Sequence, residues 1–444
     1  MSELVTCTLE DICVKAKGAI ISGPFGSNIS KKYFVENGIP VIRGNNLTTN
    51  HIKFIDDGFV FITEEKANEL NCDAYCGDLI FTAAGTIGQV GIIPKNSKYN
   101  RYVISNKQIR ARIDTNIVDL DYAYCWFASP WIQTILENNN KGSTVPLLTL
   151  AEVKALPITY PRDLGQQKAL AKVLVQLDSK MENNDLICSN LDGIAKLVYD
   201  YWFIQFDFPD ENGKPYKSSG GKMVWNEELK REIPEGWKVI VLKDHFHIDR
   251  GISYSSENIS TGVGTPMINL ACIDKNRNYR AGELKYFSGE IPEKNYLNAG
   301  DLLIACTDLT RKAEIIGCPI LVPEDGKKYI YSMDIAKISF SEEELNDLYM
   351  YMTLRTNFYH NYIKKWASGT NVLHLNLEGL EWYAVCVPPM NLQNRYAKII
   401  KVIHSKKSDG LSENQLLAEL RDFLLPMLMN GQVKIKESTG DDFM

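Results

Sequence analysis

GDLIFTAAG, residues 77–85, returns later in the same chain as GDLLIACTD, residues 300–308. Two further echoes keep the same order along the chain. GIPVIRG from Gly38 is answered by GTPMINL from Gly264, and YVISNKQIRARI from Tyr102 by YIYSMDIAKISF from Tyr329. Each copy is followed by a long segment with a heptad pattern. Two copies are too few for a solenoid, so the duplication predicts a molecule with internal pseudo-twofold symmetry.

The composition is that of a globular chain with enough apolar residues for two cores. Of 444 residues, 45% are hydrophobic and 23% are charged, which predicts two domains plus connecting helices. The chain has no run of 18 apolar residues, and its first residues, MSELVTCTLEDICVK, lack the pattern of a signal peptide. We therefore expect a cytoplasmic protein with no membrane partner.

The cysteines and the net charge restrict the candidate functions. The ten cysteines are scattered, and Cys72 and Cys76 have no second Cys or His pair to complete a zinc site. We expect reduced thiols and no metal. A net charge of −6 argues against a chain coated in nucleic acid, but it allows a local basic groove.

Each copy has the pattern of an α+β domain, in which short apolar runs alternate with Gly, Asn and Asp turns. Helical spacing predicts one helix over Asp119–Asn138 and its counterpart over Glu342–Lys364. The predicted fold class is α+β, with two pseudo-twofold-related α/β domains joined by two long helices. The predicted segments are a first domain at 1–163, long helices at 164–205 and 391–432, a linker at 206–234, a second domain at 235–390 and a tail at 433–444.

The heptad segments predict helices over Gly165–Phe203 and from about Leu392 to Asn430. The second segment has a polar middle, SKKSDG (405–410), and Pro426 is expected to kink or end it. One apolar seam on a long helix must be buried against something. Each helix could pack on its own domain or on a second copy of the chain. We favour pairing with each other, because there is one such helix per repeat, and the antiparallel orientation is a further expectation.

Catalytic patterns are weak in this sequence. A nuclease-like order of Asp210, Glu228 and Lys230 falls around a Gly/Lys/Ser-rich linker rather than on adjacent buried strands. The chain has no P-loop, no HExxH pair, and neither the glycine-rich cofactor loop nor the catalytic turn of a DNA methyltransferase. The sequence therefore predicts recognition rather than catalysis.

Polar side chains suited to DNA fall at matching loops of both copies. Arg and Asn can read base edges, and Lys, Ser and Thr can bind phosphates. The candidates in the first copy are Ser22, Phe25, Ser27, Lys31, Arg43, Asn45, Asn46, Thr86, Lys141, Ser143 and Thr144. Those in the second copy are Arg250, Tyr254, Asn269, Lys275, Arg277, Thr307, Arg311, Lys312, Ser368, Thr370 and Asn371. A constant apolar frame with diverging loops suits two readers of two different sequences.

The chain resembles the specificity subunit of type I restriction-modification systems, the HsdS family, over almost its whole length. The resemblance rests on GIPVIRGNN, GDLIFTAAGTIG and the LPITYP segment at Leu156–Pro161. It rests also on QQKALAKVLVQLDSKM (166–181) with its continuation to YDYWFIQFDFP, and on LLPMLMNGQVKI (424–435). The second half departs from the pattern, since GTIG becomes Asp308–Arg311 and Gln166-Gln167 becomes Leu392-Gln393.

The resemblance implies that each domain reads one half of a bipartite, asymmetric site in double-stranded DNA. An antiparallel coiled coil would set the spacing between the halves. Two methylation subunits would dock on the helices and carry the S-adenosylmethionine chemistry at adenine N6. Restriction subunits would add cleavage with ATP and Mg²⁺, leaving this chain without a cofactor. The alternative is a coiled-coil DNA-binding or anti-restriction protein that acts without methyltransferase partners.

Overall fold

The computed structural model describes residues 3–138, 147–260, 262–341 and 343–433. The chain divides into two compact units. Unit 1 comprises residues 1–183 and 414–444, and unit 2 comprises residues 184–413. Both long helices contribute residues to each unit. No described helix has the length and apolar character needed to cross a membrane.

The strands of unit 1 form three sheets, with strand orders β1-β11, β2-β10-β7-β8 and β3-β5-β4-β9-β6. In the third sheet β4 and β9 are parallel neighbours, and the other recorded pairings are antiparallel. The strands are β1 Leu4–Thr8, β2 Ile20–Ser22, β3 Phe34–Val35, β4 Ile39–Ile42, β5 Val60–Ile62, β6 Asp73–Ala74, β7 Leu79–Thr82, β8 Val90–Ile92, β9 Tyr102–Ile104, β10 Gln108–Ala111 and β11 Pro157–Pro161.

Three sheets of unit 2 repeat these strand orders, except that the third has four strands, with no counterpart of β6 among the described strands, and two further sheets are present. They are β14-β26, β15-β23-β19-β21 and β16-β18-β17-β22, with β17 and β22 again parallel, plus β20-β25-β24 and β12-β13. The strands are β12 Met223–Asn226, β13 Arg231–Pro234, β14 Lys238–Val241, β15 Phe246–Arg250, β16 Ile259–Ser260, β17 Thr265–Ile268, β18 Lys285–Phe287, β19 Leu302–Ala305, β20 Thr307–Asp308, β21 Pro319–Leu321, β22 Ile330–Tyr331, β23 Ile335–Phe340, β24 Ala367–Ser368, β25 Leu373–Leu375 and β26 Ala384–Val387.

The two shorter helical segments differ from their prediction, because each is broken into two helices. In unit 1, Pro130 begins a new helix after the first one has ended at Phe127. In unit 2, the Thr356 hydroxyl accepts a hydrogen bond from the Tyr359 amide and so caps a second helix. The helices are α1 Glu64–Leu70, α2 Leu120–Phe127, α3 Pro130–Asn138, α4 Leu150–Lys154, α5 Leu164–Tyr199, α6 Asp347–Arg355, α7 Asn357–Ile363, α8 Glu378–Glu381 and α9 Met390–Met429.

The long helices α5 and α9 pair within each unit. In unit 1, Arg421 Nε lies 3.2 Å from Asp178 Oδ1. In unit 2, Lys407 Nζ lies 2.6 Å from Asp192 Oδ1, and the Tyr396 hydroxyl donates to the Ala195 carbonyl at 3.1 Å. As residue numbers rise along α5, the numbers of their partners fall along α9. The two helices are therefore antiparallel, which confirms the predicted coiled coil and fold class.

The middle of the second heptad segment is helical although its sequence is polar. The Cβ of any side chain at Gly410 would lie 3.2 Å from Cys188 Sγ, so glycine lets the two helices approach closely. Ser408 is buried, and its hydroxyl accepts a hydrogen bond from the Glu324 amide at 3.0 Å. Pro426 does not end the helix, since it lies inside α9, which continues to Met429, and the kink expected as the other possibility stays a prediction.

A buried glutamine holds the start of each long helix. The Gln167 side chain accepts from the Asp119 amide at 2.7 Å and donates to the carbonyls of Ile117 and Pro161. Gln393 repeats this arrangement, accepting from the Asn346 amide at 2.9 Å and donating to two carbonyls. Both side chains are fully buried, so these two residues define equivalent positions in α5 and α9.

The segment predicted as a linker, 206–234, contains the β12–β13 hairpin. Its first part is also packed, because the rings of Phe208 and Tyr216 stack with centroids 4.7 Å apart. Phe208 in turn stacks on Trp237 at 5.2 Å. Asp210 accepts hydrogen bonds from backbone amides of its own turn, and Glu228 is exposed in the turn of the hairpin.

Candidate nucleic-acid interface

Three loops of unit 1 converge because of strand pairing. Parallel strands β4 and β9 end at the same sheet edge, so the residues after Ile42 and Ile104 leave that edge together. Strand β10 starts beside the end of β7, with Gln108 opposite Thr82. The loop after β7 therefore joins the other two.

The three loops enclose an open cleft of about 440 Å³. Its rim is polar and includes three predicted DNA contacts, Arg43, Asn45 and Thr86. The side-chain amide of Asn45 donates to the Gly58 carbonyl at 3.3 Å, and Arg43 Nη2 lies 3.4 Å from the same oxygen. These contacts hold the side chains of Arg43 and Asn45, two hydrogen-bond donors, in position at the rim.

Asn106 and Lys107 also line this cleft, and sequence reasoning did not select them as contacts. Both are exposed in the turn between β9 and β10. A signal was present, since both lie within the repeated YVISNKQIRARI segment. The amide of Asn106 and the cation of Lys107 have the chemistry that reads adenine and guanine edges.

The prediction for Asn46 is wrong. Its side chain is fully buried, accepts from the Arg43 amide at 3.0 Å and donates to the carbonyls of Ile55 and Asp57. With its amide engaged on both sides, Asn46 holds the loop and is not available to a base.

The end of β2 and the loop after it carry four more predicted contacts, Ser22, Phe25, Ser27 and Lys31, all of them exposed. Phe25 is 84% exposed. This loop lies close to the β9–β10 turn, because a Cβ on Gly23 would stand 1.8 Å from the Ser105 carbonyl oxygen. The remaining contacts predicted in this copy, Lys141, Ser143 and Thr144, lie outside the described residues.

Unit 2 builds the same edge, with β17 and β22 ending together at Ile268 and Tyr331. Two predicted contacts are wrong here, because Asn269 and Thr307 are buried. The Asn269 side chain accepts from the Ala271 amide at 2.9 Å and donates to the Glu283 carbonyl at 3.0 Å. Thr307 belongs to the short strand β20 and faces the interior.

The exposed polar candidates of unit 2 are brought together by β20 and β25. Asp308 pairs with Leu373, which places the turn carrying Ser368, Thr370 and Asn371 beside the loop that follows β20. That loop carries the exposed cations Arg311 and Lys312. This cluster combines hydroxyls, an amide and two positive charges.

The remaining candidates of unit 2 lie on other loops. Arg250 is exposed at the end of β15, Lys275 is exposed, and the Tyr254 hydroxyl accepts from Lys285 at 3.0 Å. Arg277 donates to the Asn357 side chain at 2.5 Å, at the start of α7.

One histidine reports the local electrostatics of unit 2. Burial lowers the pKa of His360, and the positive charges of Arg277 and Lys364 lower this pKa further. Arg277 contacts the start of α7 at Asn357, and Lys364 follows its end.

A family model described as the type I restriction modification DNA specificity domain matches residues 1–187 and again residues 234–421. The chain belongs to this family of specificity (HsdS) subunits. Each match covers one copy of the repeated frame, which confirms the resemblance drawn from the sequence.

Relatives in the specificity family match more than three quarters of the chain. The type I restriction enzyme MjaIX specificity subunit of Methanocaldococcus jannaschii is 25% identical over 430 residues, covering 96% of this chain and 93% of that protein. The HindI specificity subunit of Haemophilus influenzae is 23% identical over 405 residues, covering 77% and 85%. The S subunit of a type I restriction-modification system from M. genitalium shares the fold, with a TM-score of 0.57, 16% identity and coverage of 98% and 97%.

Proposed function

We propose that this chain is the non-catalytic DNA-recognition subunit of a type I restriction-modification system. Unit 1 and unit 2 each read one half of a bipartite, asymmetric site. The observation that carries this proposal is the repeated specificity domain, matched at 1–187 and 234–421, in which the strand orders β1-β11, β2-β10-β7-β8 and β3-β5-β4-β9 of unit 1 recur in unit 2. The side chains at the converging loops differ between units, as two different half-sites require.

Sequencing of methylated bases in the host genome tests this role. Deleting the gene should remove methylation from one bipartite motif, and Arg43→Ala with Asn45→Ala should alter one half of that motif only. The matched control Lys15→Ala changes an exposed lysine whose ammonium donates to the backbone carbonyls of Glu10 and Asp11, and it should leave the motif unchanged. An unchanged methylome after deletion contradicts the proposal.

The partners that fit are two copies of one methylation subunit. Counted from Gln167 and Gln393, Ile194 and Leu197 of α5 occupy the same helix positions as Leu420 and Phe423 of α9. Ile194 and Leu420 are 48% and 44% exposed, and Leu197 and Phe423 are 68% and 64% exposed. Large apolar side chains left open at matching positions mark a protein interface, and two equivalent patches suit two copies of one partner.

Mass measurement of the assembled complex tests this stoichiometry. Leu197→Asp should leave one methylation subunit bound, Phe423→Asp should leave the other, and the double variant should bind neither. Lys401→Asp, at an exposed polar position of α9, is the control and should keep both copies. Equal loss of both copies from either single variant would contradict two independent sites.

The chemistry of the complex then belongs to its other subunits. S-adenosylmethionine would bind the methylation subunits, and ATP with Mg²⁺ would bind restriction subunits, all acting on adenine methylation and cleavage in the cytoplasm. This chain would supply position and sequence choice.

The paired helices are proposed to set the spacer between half-sites. Matched four-residue insertions after Asn183 and after Glu413 would add about 6 Å at 1.5 Å per residue. That length corresponds to about two base pairs at 3.4 Å each. The methylated motif of the insertion variant should therefore gain about two non-specific base pairs, and an unchanged spacer would refute this function of the helices.

A further inference from the structure

The candidate DNA-binding loops of unit 2 carry two exposed apolar side chains at positions where unit 1 has polar ones. In the repeat, Leu309 corresponds to Thr86 and Met333 to Asn106. Leu309 is 67% exposed and Met333 is 52% exposed. The residue just before β20, which leads to Leu309, is bonded to the turn of Met333, since the Cys306 amide donates to the Asp334 carbonyl at 2.8 Å.

The backbone beneath these side chains is firmly held. The buried Asp308 carboxylate accepts from the amides of Thr310 at 2.6 Å and Ile315 at 2.7 Å. The Met333 amide donates to the Ile252 carbonyl at 2.8 Å. Leu309 and Met333 therefore project from fixed turns and are not side chains of a loose loop.

The surroundings favour DNA as the molecule that covers them. Arg311 and Lys312 lie two and three residues after Leu309 and are exposed. The turn with Ser368 and Thr370 is brought next to this loop by the pairing of β20 and β25. Cations and hydroxyls around an apolar centre suit a base edge flanked by phosphates.

We propose that Leu309 and Met333 contact the C5-methyl group of thymine in the major groove of the second half-site. Thymine is the base that presents a methyl group in that groove, and apolar side chains read it. This inference rests on the proposed function and adds the chemistry that unit 2 recognises. Unit 1 has an amide and a hydroxyl at the same two turns, so the two half-sites are read by different chemistry.

Replacing thymine by deoxyuridine removes this methyl group and changes nothing else in the base. The complex of this chain with its methylation subunits is titrated with duplexes that carry the methylated motif. Each thymine of the motif is replaced singly, on either strand, and binding is followed by fluorescence anisotropy at fixed salt. At least one replacement in the second half-site should weaken binding about three- to fivefold, the effect of losing one buried methyl group.

The double variant Leu309→Ala/Met333→Ala should bind the thymine duplex about tenfold more weakly and should no longer distinguish thymine from deoxyuridine there. The exchange Leu309→Met/Met333→Leu should keep the discrimination. Val263→Ala/Phe358→Ala is the matched control, since both side chains are 74% exposed in unit 2, and it should also keep it.

The outcomes separate this inference from the proposed function. Specific binding with no deoxyuridine effect in the second half-site overturns the inference alone, as does an effect that survives in the double alanine variant. Loss of methylation subunits from that variant, with thymine discrimination intact, also overturns it and assigns the pair to a protein contact. Absence of any preference for the methylated motif overturns the proposed function itself.

Discussion

Unit 1 and unit 2 place an ionisable side chain at the same position of their long helices, an acid that is buried in unit 1 and a base that is half-buried in unit 2. Counted from Gln167 and Gln393, Asp178 in unit 1 corresponds to His404 in unit 2. Burial raises the pKa of Asp178 and lowers the pKa of His404, so both environments favour the neutral form. The repeat therefore shields this position from water in both units, fully at Asp178 and partly at His404, although the side chains differ.

The partners of these two residues differ as well. Asp178 lies against Arg421, whereas the His404 ring nitrogen lies 2.9 Å from the Val322 carbonyl oxygen. The candidate DNA-binding loops show the same pattern. The two units share most of their strand orders there, but their exposed side chains differ. The repeated strands and long helices can thus support a different set of local interactions in each unit.

Among the substitutions that test this comparison, Arg421→Met in unit 1 should have the largest effect on stability. It leaves the Asp178 carboxylate buried without its main counter-charge, with Lys53 and His51 as the other positive groups and Glu182 opposing them. The loss should be about 3–5 kcal/mol in the free energy of unfolding. Hydrogen exchange of the amides of β7 and β10 would measure this loss in unit 1.

This loss should also depend on pH. Since the pKa of Asp178 is already raised in the folded protein, removing the cation raises it further. The penalty is complete above the folded pKa and shrinks as the pH falls towards the ordinary value of 3.8. The double variant Asp178→Asn/Arg421→Met should recover much of the stability, and a penalty that stays constant on acidification would contradict the assignment.

Gln167→Ala and Gln393→Ala test the buried glutamine that both units have at the start of their long helix. Each removes three buried hydrogen bonds and leaves polar backbone groups unpaired, so each should cost about 2–3 kcal/mol. Because the two arrangements match, the losses should agree within about 0.5 kcal/mol, each confined by hydrogen exchange to its own unit. Gln166→Ala is a neighbouring control. A large difference between Gln167→Ala and Gln393→Ala would show that the anchors are not equivalent.

The repeat, the heptad seams and the paired long helices could be predicted from the sequence because they depend on periodic burial. The burial of Asn46 and Asn269 could not, since it depends on which backbone groups their loops enclose. Asn106 and Lys107 were missed for a related reason. The parallel pairing of β4 with β9 joins distant segments, and only this pairing shows that their turns share an edge with Arg43.

Asn46→Ala and Asn45→Ala compare a residue that holds the loop of unit 1 with one at its rim. Asn46→Ala should cost about 1–3 kcal/mol, because it leaves the carbonyls of Ile55 and Asp57 and the Arg43 amide without their partner. Asn45→Ala should leave the unfolding free energy within about 0.5 kcal/mol and change the preference for the first half-site. Urea titration and methylome sequencing measure the two effects, and reversed results would contradict the structural assignment.

The smallest expected effect is that of His404→Gln in unit 2, and its sign tests the opening comparison. The pKa of His404 is lowered by burial, so below pH 6.5 the unfolded chain binds a proton that the folded unit resists. Glu324 and Asp192 oppose this shift, and Lys407 supports it. The wild type should therefore lose about 1 kcal/mol of this contribution over one pH unit below 6.5, and His404→Gln should remove that loss. Asp178→Asn acts in the opposite direction, because a raised carboxyl pKa makes acid favour the folded unit. If both variants changed the pH dependence of stability with the same sign, the two positions would not differ in the way their burial implies.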